Sequence, residues 1–244
     1  MRLIRPPWLV PAALARPLLA ASAAAPAATN SCRASSGKLR MTVVELYTSE
    51  GCSSCPPADH WLSGLKGRDD VLAQAFHVDY WDRLGWKDRF ASPAYTERQT
   101  QRRAVGGARF IYTPQVVVDG VDRGELPSRR ASAVVDLEMQ RESDAYGATV
   151  TPSAASPARL AAYWSVTENG HSSAVKAGEN EGATLHHDFV VRDYLPVAPW
   201  AAGAPQRLRF SPRSAADPAH PRTIDLVVFD PATGRPLQAL RLGC

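Results

Sequence analysis

Pro56 and Pro57 stand directly behind two cysteines, Cys52 and Cys55, in the stretch "TSEGCSSCPPADHW" (48–61). Proline has no N–H, so two in succession fit best in the first turn of a helix, where donors lack intrahelical partners. Just upstream, "TVVELY" (42–47) has the length and the β-branched and aromatic make-up of a buried strand. Downstream, "PPADHWLSGLKG" carries Trp61, Leu62 and Leu65 at helical spacing and stops at Gly67. The cysteines thus fall on a strand-to-helix turn, with an N-cap expected at Ser53 or Ser54. That placement predicts an exposed Cys52 before the helix and a more protected Cys55 in its first turn. Such a pair can be a redox couple, half of a metal site or a structural clasp.

As a redox couple, Cys52 is the expected attacking thiol and Cys55 the resolving one, because a helix N-terminus favours the thiolate of a nearby cysteine. Glu50 opposes this, since an adjacent carboxylate disfavours a second negative charge. Zinc is not expected. A structural zinc site usually needs two further Cys or His ligands at compatible spacing. No second C-x-x-C exists, and His186 and His187 are adjacent, so on a strand they point to opposite faces.

Further along, "VLAQAFHVDYW" (71–81) holds a strand expected at Ala75 to Tyr80, and "SPAYTERQTQRRA" (92–104) reads as a helix capped by Ser92. "PQVVVDGVDRG" (114–124) is a hairpin about Asp119-Gly120, and "SRRASAVVDLEMQRE" (128–142) reads as a helix. From Ala148 onward short strand candidates separated by Gly, Pro, Asn and Asp replace the helical pattern. The expected architecture is an α/β thioredoxin-like domain over 39–146, followed by a smaller all-β, sandwich-like domain over 147–244.

Residues 1–28 read as a signal peptide: Arg2 and Arg5, then an apolar run, then small-residue triplets such as Ala21-Ser22-Ala23. The net charge is +4, and the three arginines of this leader account for most of it, so the remainder is near neutral and nucleic acid is not an expected partner. No other segment approaches the roughly 18–20 apolar residues of a membrane span. A periplasmic or secreted location fits the even cysteine count. If Cys52 pairs with Cys55, Cys32 and Cys244 remain at the two ends of the mature chain. Ends of a compact domain often lie close together, so they form a second disulfide or stay as two unrelated thiols.

Thr113-Pro114 stands before the hairpin in "FIYTPQVVVDG". With the C-x-x-C at the first strand–helix junction it resembles the thioredoxin superfamily. Four stretches in order, "VELYTSEGCSSCPPAD", "HVDYWDRLGWKDRFASPAYTERQ", "YTPQVVVDG" and "GENEGATLHHDFVVRDYLPVAPW", are similar to a family of secreted bacterial proteins, the domain of unknown function 1223. The superfamily resemblance implies a cis peptide bond at Pro114 beside the cysteines and a substrate contact from the backbone of Thr113. The chain departs from ordinary thioredoxins in having Ser53-Ser54 between the cysteines, no aromatic before Cys52, and two prolines after Cys55.

"HVDYWDRLGWKDRF" (77–90) runs from the second strand into a loop at the sheet edge where open α/β sheets bind ligands. Trp81 and Asp82 are the expected substrate-binding residues there. His77, Asp79, Tyr80 and Trp86 are further candidates to wall the site, against the alternative of core packing and a solvated loop. Around the turn at Gly178 and Gly182, Glu179, Asn180 and Arg192 could pack against the cysteine face. The leading expectation is an exported thiol–disulfide oxidoreductase acting on a protein thiol, a small thiol or a redox partner, with no cofactor and no metal. The alternatives are a copper-binding module using Cys52, Cys55 and His77 or His60, and a non-catalytic binding scaffold with a structural disulfide.

Overall fold

The computed structural model describes Met1 and residues 32–244, so the leader expected over residues 1–28 lies outside the described residues. Ser31–Cys244 forms one compact unit. The first half contains β1 (Arg33–Ser35), β2 (Thr42–Thr48), α1 (Pro56–Ser63), β3 (Val71–His77), α2 (Pro93–Gly106), β4 (Gln115–Val118) and β5 (Val121–Asp122). It continues with β6 (Val135–Glu142), β7 (Ala145–Pro152), β8 (Arg159–Glu168), β9 (His171–Ala174) and β10 (Thr184–His187). The last strands are β11 (Val190–Ala201), β12 (Gln206–Phe210), β13 (Arg222–Phe229) and β14 (Pro236–Leu242). No helix among the described residues is long and apolar enough to cross a membrane.

An eight-stranded sheet runs in the order β14-β13-β8-β11-β3-β2-β4-β5, a four-stranded one in the order β1-β6-β7-β12, and β9 and β10 pair alone. β2 and β3 are parallel over seven residue pairs from Thr42–Val71 to Thr48–His77, and β4 lies antiparallel to β2. β11 joins the other side of β3, parallel to it, through the Val190–Ala75 pair, and β8 and β13 follow antiparallel.

This arrangement overturns the expected α/β thioredoxin-like domain with a separate β-rich one behind it. The described chain is mostly strand, and β8, β11, β13 and β14 continue the sheet begun by β2, β3 and β4. The physical reason is the edge of β3, whose residues are all buried. Left unpaired, that edge would bury open N–H and C=O groups, and the start of β11 meets it at Ala75, whose N donates to Phe189 O at 2.8 Å. The helix expected over 128–142 is also corrected. Val135, Leu137 and Met139 are buried while Asp136 and Glu138 are exposed, the period-two pattern of β6.

The large sheet is covered on both faces. α2 closes one face, its Tyr95 packing with Tyr47, Phe76, Val117, Tyr163 and Val227. On the other, α1 covers Val44, Leu46, Ala73 and Ala75, while the small sheet packs Leu137, Met139 and Val150 against Trp164, Leu226 and Leu240. α2 begins where expected, with the Ser92 hydroxyl accepting from Ala94 N. It delivers Arg98 and Arg102 to Glu45, a buried carboxylate in the middle of β2. Burial opposes ionisation of Glu45, but the Arg102 and Arg98 guanidiniums outweigh it and hold the carboxyl well below the usual carboxylate range. Tyr163 of β8 and Tyr47 donate to the same carboxylate at 3.1 and 3.0 Å.

Glu45→Ala leaves two guanidiniums buried without a counter-charge. It should lower the unfolding free energy by roughly 3–5 kcal/mol in urea titrations. A depressed carboxyl pKa adds stability that is present above its unfolded value of 4.5 and is lost as pH falls. Stability curves of Glu45→Gln should therefore decline less steeply than the wild type between about pH 5 and 3.

Candidate functional site

β2 ends at Thr48, and the chain turns back through Ser49–Cys55 to enter α1. Cys52 N donates to Ser49 O at 3.1 Å and Cys55 N to Cys52 O at 3.2 Å, so two successive tight turns bring the cysteines together. They are joined as a disulfide, with Cα atoms 5.4 Å apart. α1 starts at Pro56, so the N-cap position belongs to Cys55 rather than to Ser53 or Ser54. The expected difference in exposure between the cysteines is absent: Cys52 and Cys55 are each 0% exposed, and the exposed residues of the turn are Ser53 and Ser54. Cys32 and Cys244 form the second disulfide, with Cα atoms 6.0 Å apart.

Three segments close on this turn. From the loop after β3, Trp81 packs on Gly51, where an added Cβ would lie 3.1 Å from the Trp81 Cβ. The Trp81 indole N–H donates to the Thr113 hydroxyl at 2.8 Å. Trp81 thereby links the cysteine turn to Thr113-Pro114, whose peptide bond is cis. Asp82 instead organises its own loop, accepting from Asp88 N at 3.2 Å, and burial raises its pKa.

The third segment is the tip between β9 and β10. The Asn180 side-chain amide donates to both Glu50 O (2.9 Å) and Cys52 O (3.0 Å), and Glu179 Oε2 accepts from Ser53 N at 3.0 Å. Glu179 and Asn180 thus reach the cysteine face. Arg192 does not, and pairs with Glu168 at 2.9 Å.

Behind the turn lies a cluster of acids and imidazoles. His77, 0% exposed, bonds through Nδ1 to Asp88 at 2.6 Å, and Asp88 also accepts from Glu50 N and Phe90 N. Glu50 accepts from the Trp86 indole at 2.7 Å and faces His187 Nε2 at 3.4 Å. Asp59, in the first turn of α1, accepts from the Thr48 hydroxyl at 3.0 Å. Burial raises the Asp59 pKa. Burial alone would lower that of His77, but the Asp88 carboxylate outweighs it and the imidazole pKa is raised. The partner carboxyl of Asp88 is lowered despite its own burial, chiefly by His77. Glu50 is also lowered, its burial offset by the facing His187 and Ser173 side chains and the Trp86 indole.

Asp59 and His187 also floor a cleft of about 600 Å³ between α1 and β10, with His60, Ser63, Lys66 and His186 on its walls. Among the described residues no three His, Cys, Asp or Glu side chains are arranged to hold a metal ion. Of the groups the copper-binding alternative would use, Cys52, Cys55 and His77 or His60, both sulfurs are joined to each other and His77 is paired with Asp88. Asp79 is held by the Thr96 hydroxyl at 2.6 Å. Asp88 and His187 are not readable as neighbours of the turn, since each comes from a different segment and only the tertiary fold brings them together, whereas Asp59 lies in the same stretch as the cysteines.

Fold and site define a β-rich, mixed-sheet protein with a buried cysteine turn clamped by a distant hairpin. The chain belongs to the family described as "Protein of unknown function (DUF1223)", whose model matches residues 43–229. Among curated proteins none matches it. Two solved structures are similar. Protein AGR_C_4864 from Agrobacterium tumefaciens is 24% identical, with a TM-score of 0.61, over 85% of this chain and 96% of that one. HBP35 of Porphyromonas gingivalis is 15% identical, with a TM-score of 0.58, over 84% of this chain and 75% of that one. At these identities the likeness is one of fold.

Asp88→Asn removes the carboxylate that favours the proton on His77. In an NMR pH titration His77 should then lose its proton at a lower pH than in the wild type. A raised imidazole pKa adds stability below the unfolded value of 6.5 that is lost as pH rises through the folded value. Wild-type stability should thus fall over that alkaline limb and the variant's should fall less. An unchanged His77 titration would rule out the pairing as its cause.

Proposed function

We propose that the chain is an exported, non-catalytic binding scaffold in which Cys52–Cys55 is a structural disulfide. The observation that carries this reading is that both cysteines are 0% exposed. Thiol–disulfide exchange requires in-line approach of a thiolate to a sulfur, and access is one of the terms that set its rate. Export is supported by the pairing of all four cysteines, together with the leader-like residues 1–28. The cleft between α1 and β10 is the binding surface in this reading. Its buried floor of Asp59 and His187 and its polar rim suit a small polar ligand or a polar peptide segment.

A second reading, thiol–disulfide exchange with Cys52 attacking and Cys55 resolving, is favoured by one observation: Cys55 occupies the N-cap of α1. A thiolate released there lies at the positive end of the α1 dipole. This reading leans on the motif-level resemblance to the thioredoxin superfamily and assigns substrate contacts to Thr113, Pro114, Trp81 and Asp82.

One pair of measurements separates them. In millimolar glutathione followed by alkylation and peptide mass analysis, the scaffold reading expects Cys52–Cys55 to stay oxidised. Cys55→Ser should likewise trap no mixed disulfide when incubated with exported proteins. Rapid reduction together with trapped adducts would instead establish the exchange reading.

A further inference from the structure

β9 and β10 form a two-stranded sheet of their own, hydrogen-bonded to neither larger sheet. A lone hairpin is marginally stable, so its tip can move without breaking the ladders that hold the core. Gly178 and Gly182 flank the tip with φ of +81° and +85°, conformations open to glycine at no steric cost. Glu181 N donates to Gly178 O at 3.2 Å and Ala183 N to Asn180 O at 3.0 Å, so the tip is a compact turn presenting Glu179 and Asn180 together.

What those two side chains hold is specific. Asn180 ties the carbonyls of Glu50 and Cys52, on either side of Gly51, and Glu179 takes the amide of Ser53, between the cysteines. The three bonds fix the backbone around Cys52, the sulfur that precedes the helix. Gly178 seats the tip on Trp86, whose indole holds the Glu50 side chain.

We propose that the β9–β10 tip is a removable clamp that sets whether an external thiol can exchange with the Cys52–Cys55 disulfide. The inference builds on the reading of that bond as structural, and supplies the reason for its inertness: the clamp, rather than the sulfurs themselves. With the clamp open, a thiolate of an external dithiol attacks Cys52 Sγ. A new S–S bond forms to Cys52, the Cys52–Cys55 bond breaks, and Cys55 leaves as the thiolate at the N-terminus of α1. The second thiolate of the dithiol then attacks the mixed disulfide and releases Cys52. Two electrons pass from the dithiol to the protein, the dithiol is oxidised to its cyclic disulfide, and water supplies the protons to the released thiolates.

The test follows reduction by dithiothreitol on the full chain with both disulfides formed, quenching with a maleimide and quantifying each pair by peptide mass analysis. Asn180→Ala and Glu179→Ala should each reduce at Cys52–Cys55 about ten-fold faster than the wild type, the order expected for one or two lost hydrogen bonds. Glu179→Gln, which keeps an acceptor, should stay near the wild-type rate, as should Glu181→Ala, whose exposed side chain makes no bond to the turn. Cys32–Cys244 is the internal reference and should not change.

Equal rates in wild type and both alanine variants, with the wild-type bond slow, would overturn the clamp and leave the structural-disulfide reading standing. Equal acceleration of Cys32–Cys244 would also overturn it, since the variants would then have loosened the whole fold. A wild-type bond already reduced as fast as an exposed disulfide would sink the structural reading and the clamp with it.

Discussion

Glu45 is a charge placed in the middle of a fully buried strand, and the large sheet is organised around neutralising it. An isolated carboxylate there would cost several kcal/mol in desolvation. Arg98 and Arg102 come from α2, one turn apart on the same helix face, and Tyr163 comes from β8 in the second half of the chain. Arg102 also donates to Gly234 O, in the turn between β13 and β14. One carboxylate therefore specifies which helix face meets the sheet and which strand lies three places from β2. Apolar packing would tolerate a slipped α2 at modest cost. Two guanidiniums on one carboxylate would not, because a slip strands buried charge of both signs.

The cysteine turn inherits its position from this frame. β2 carries Glu45 at its centre and ends at Thr48, so the register that seats Glu45 also sets where Ser49–Cys55 leaves the sheet. His77 lies opposite Thr48 in the parallel pair, which places the His77–Asp88 pair directly behind the turn. Charge is again balanced locally. His77 and Asp88 shift each other against the pull of burial, Glu50 is lowered by the side chains around it, and Asp59 is raised chiefly by burial. Buried groups coupled in this way favour one arrangement strongly, because moving any one of them leaves another unpaired.

What was legible in the sequence follows the range of the interactions involved. The two prolines located α1 to within two residues, Ser92 located the start of α2, and Asp119-Gly120 located a hairpin, since each signal acts within a few residues. The second disulfide followed from cysteine count and the proximity of chain ends. At the start of β6, Val134 beside Val135 disguises the period-two series Val135, Leu137, Met139 as one helix face. The joining of the two halves into one sheet was not legible at all. It rests on Val190 pairing with Ala75, a single long-range contact between two buried residues that leaves no local pattern. Asp88 shows the same limit: in a loop rich in charges it reads as solvated, yet it is buried by partners from β3 and the turn.

The two disulfides do different physical work. Cys32–Cys244 spans 212 residues, and in the chain-entropy model closing a loop of that size costs the unfolded chain about 5 kcal/mol in lost freedom. Cys52–Cys55 spans only 3, for which the same relation gives roughly 2 kcal/mol. Global stability thus explains the first bond far better than the second. The short bond acts on local geometry: it holds Cys52 against the first turn of α1 and so fixes the carbonyl of Cys52 and the amide of Ser53 where Asn180 and Glu179 meet them. The hairpin tip contacts a backbone shape that the disulfide creates, and the shape and the contact stabilise each other. Breaking the bond removes the surface the tip recognises, just as lifting the tip exposes the bond.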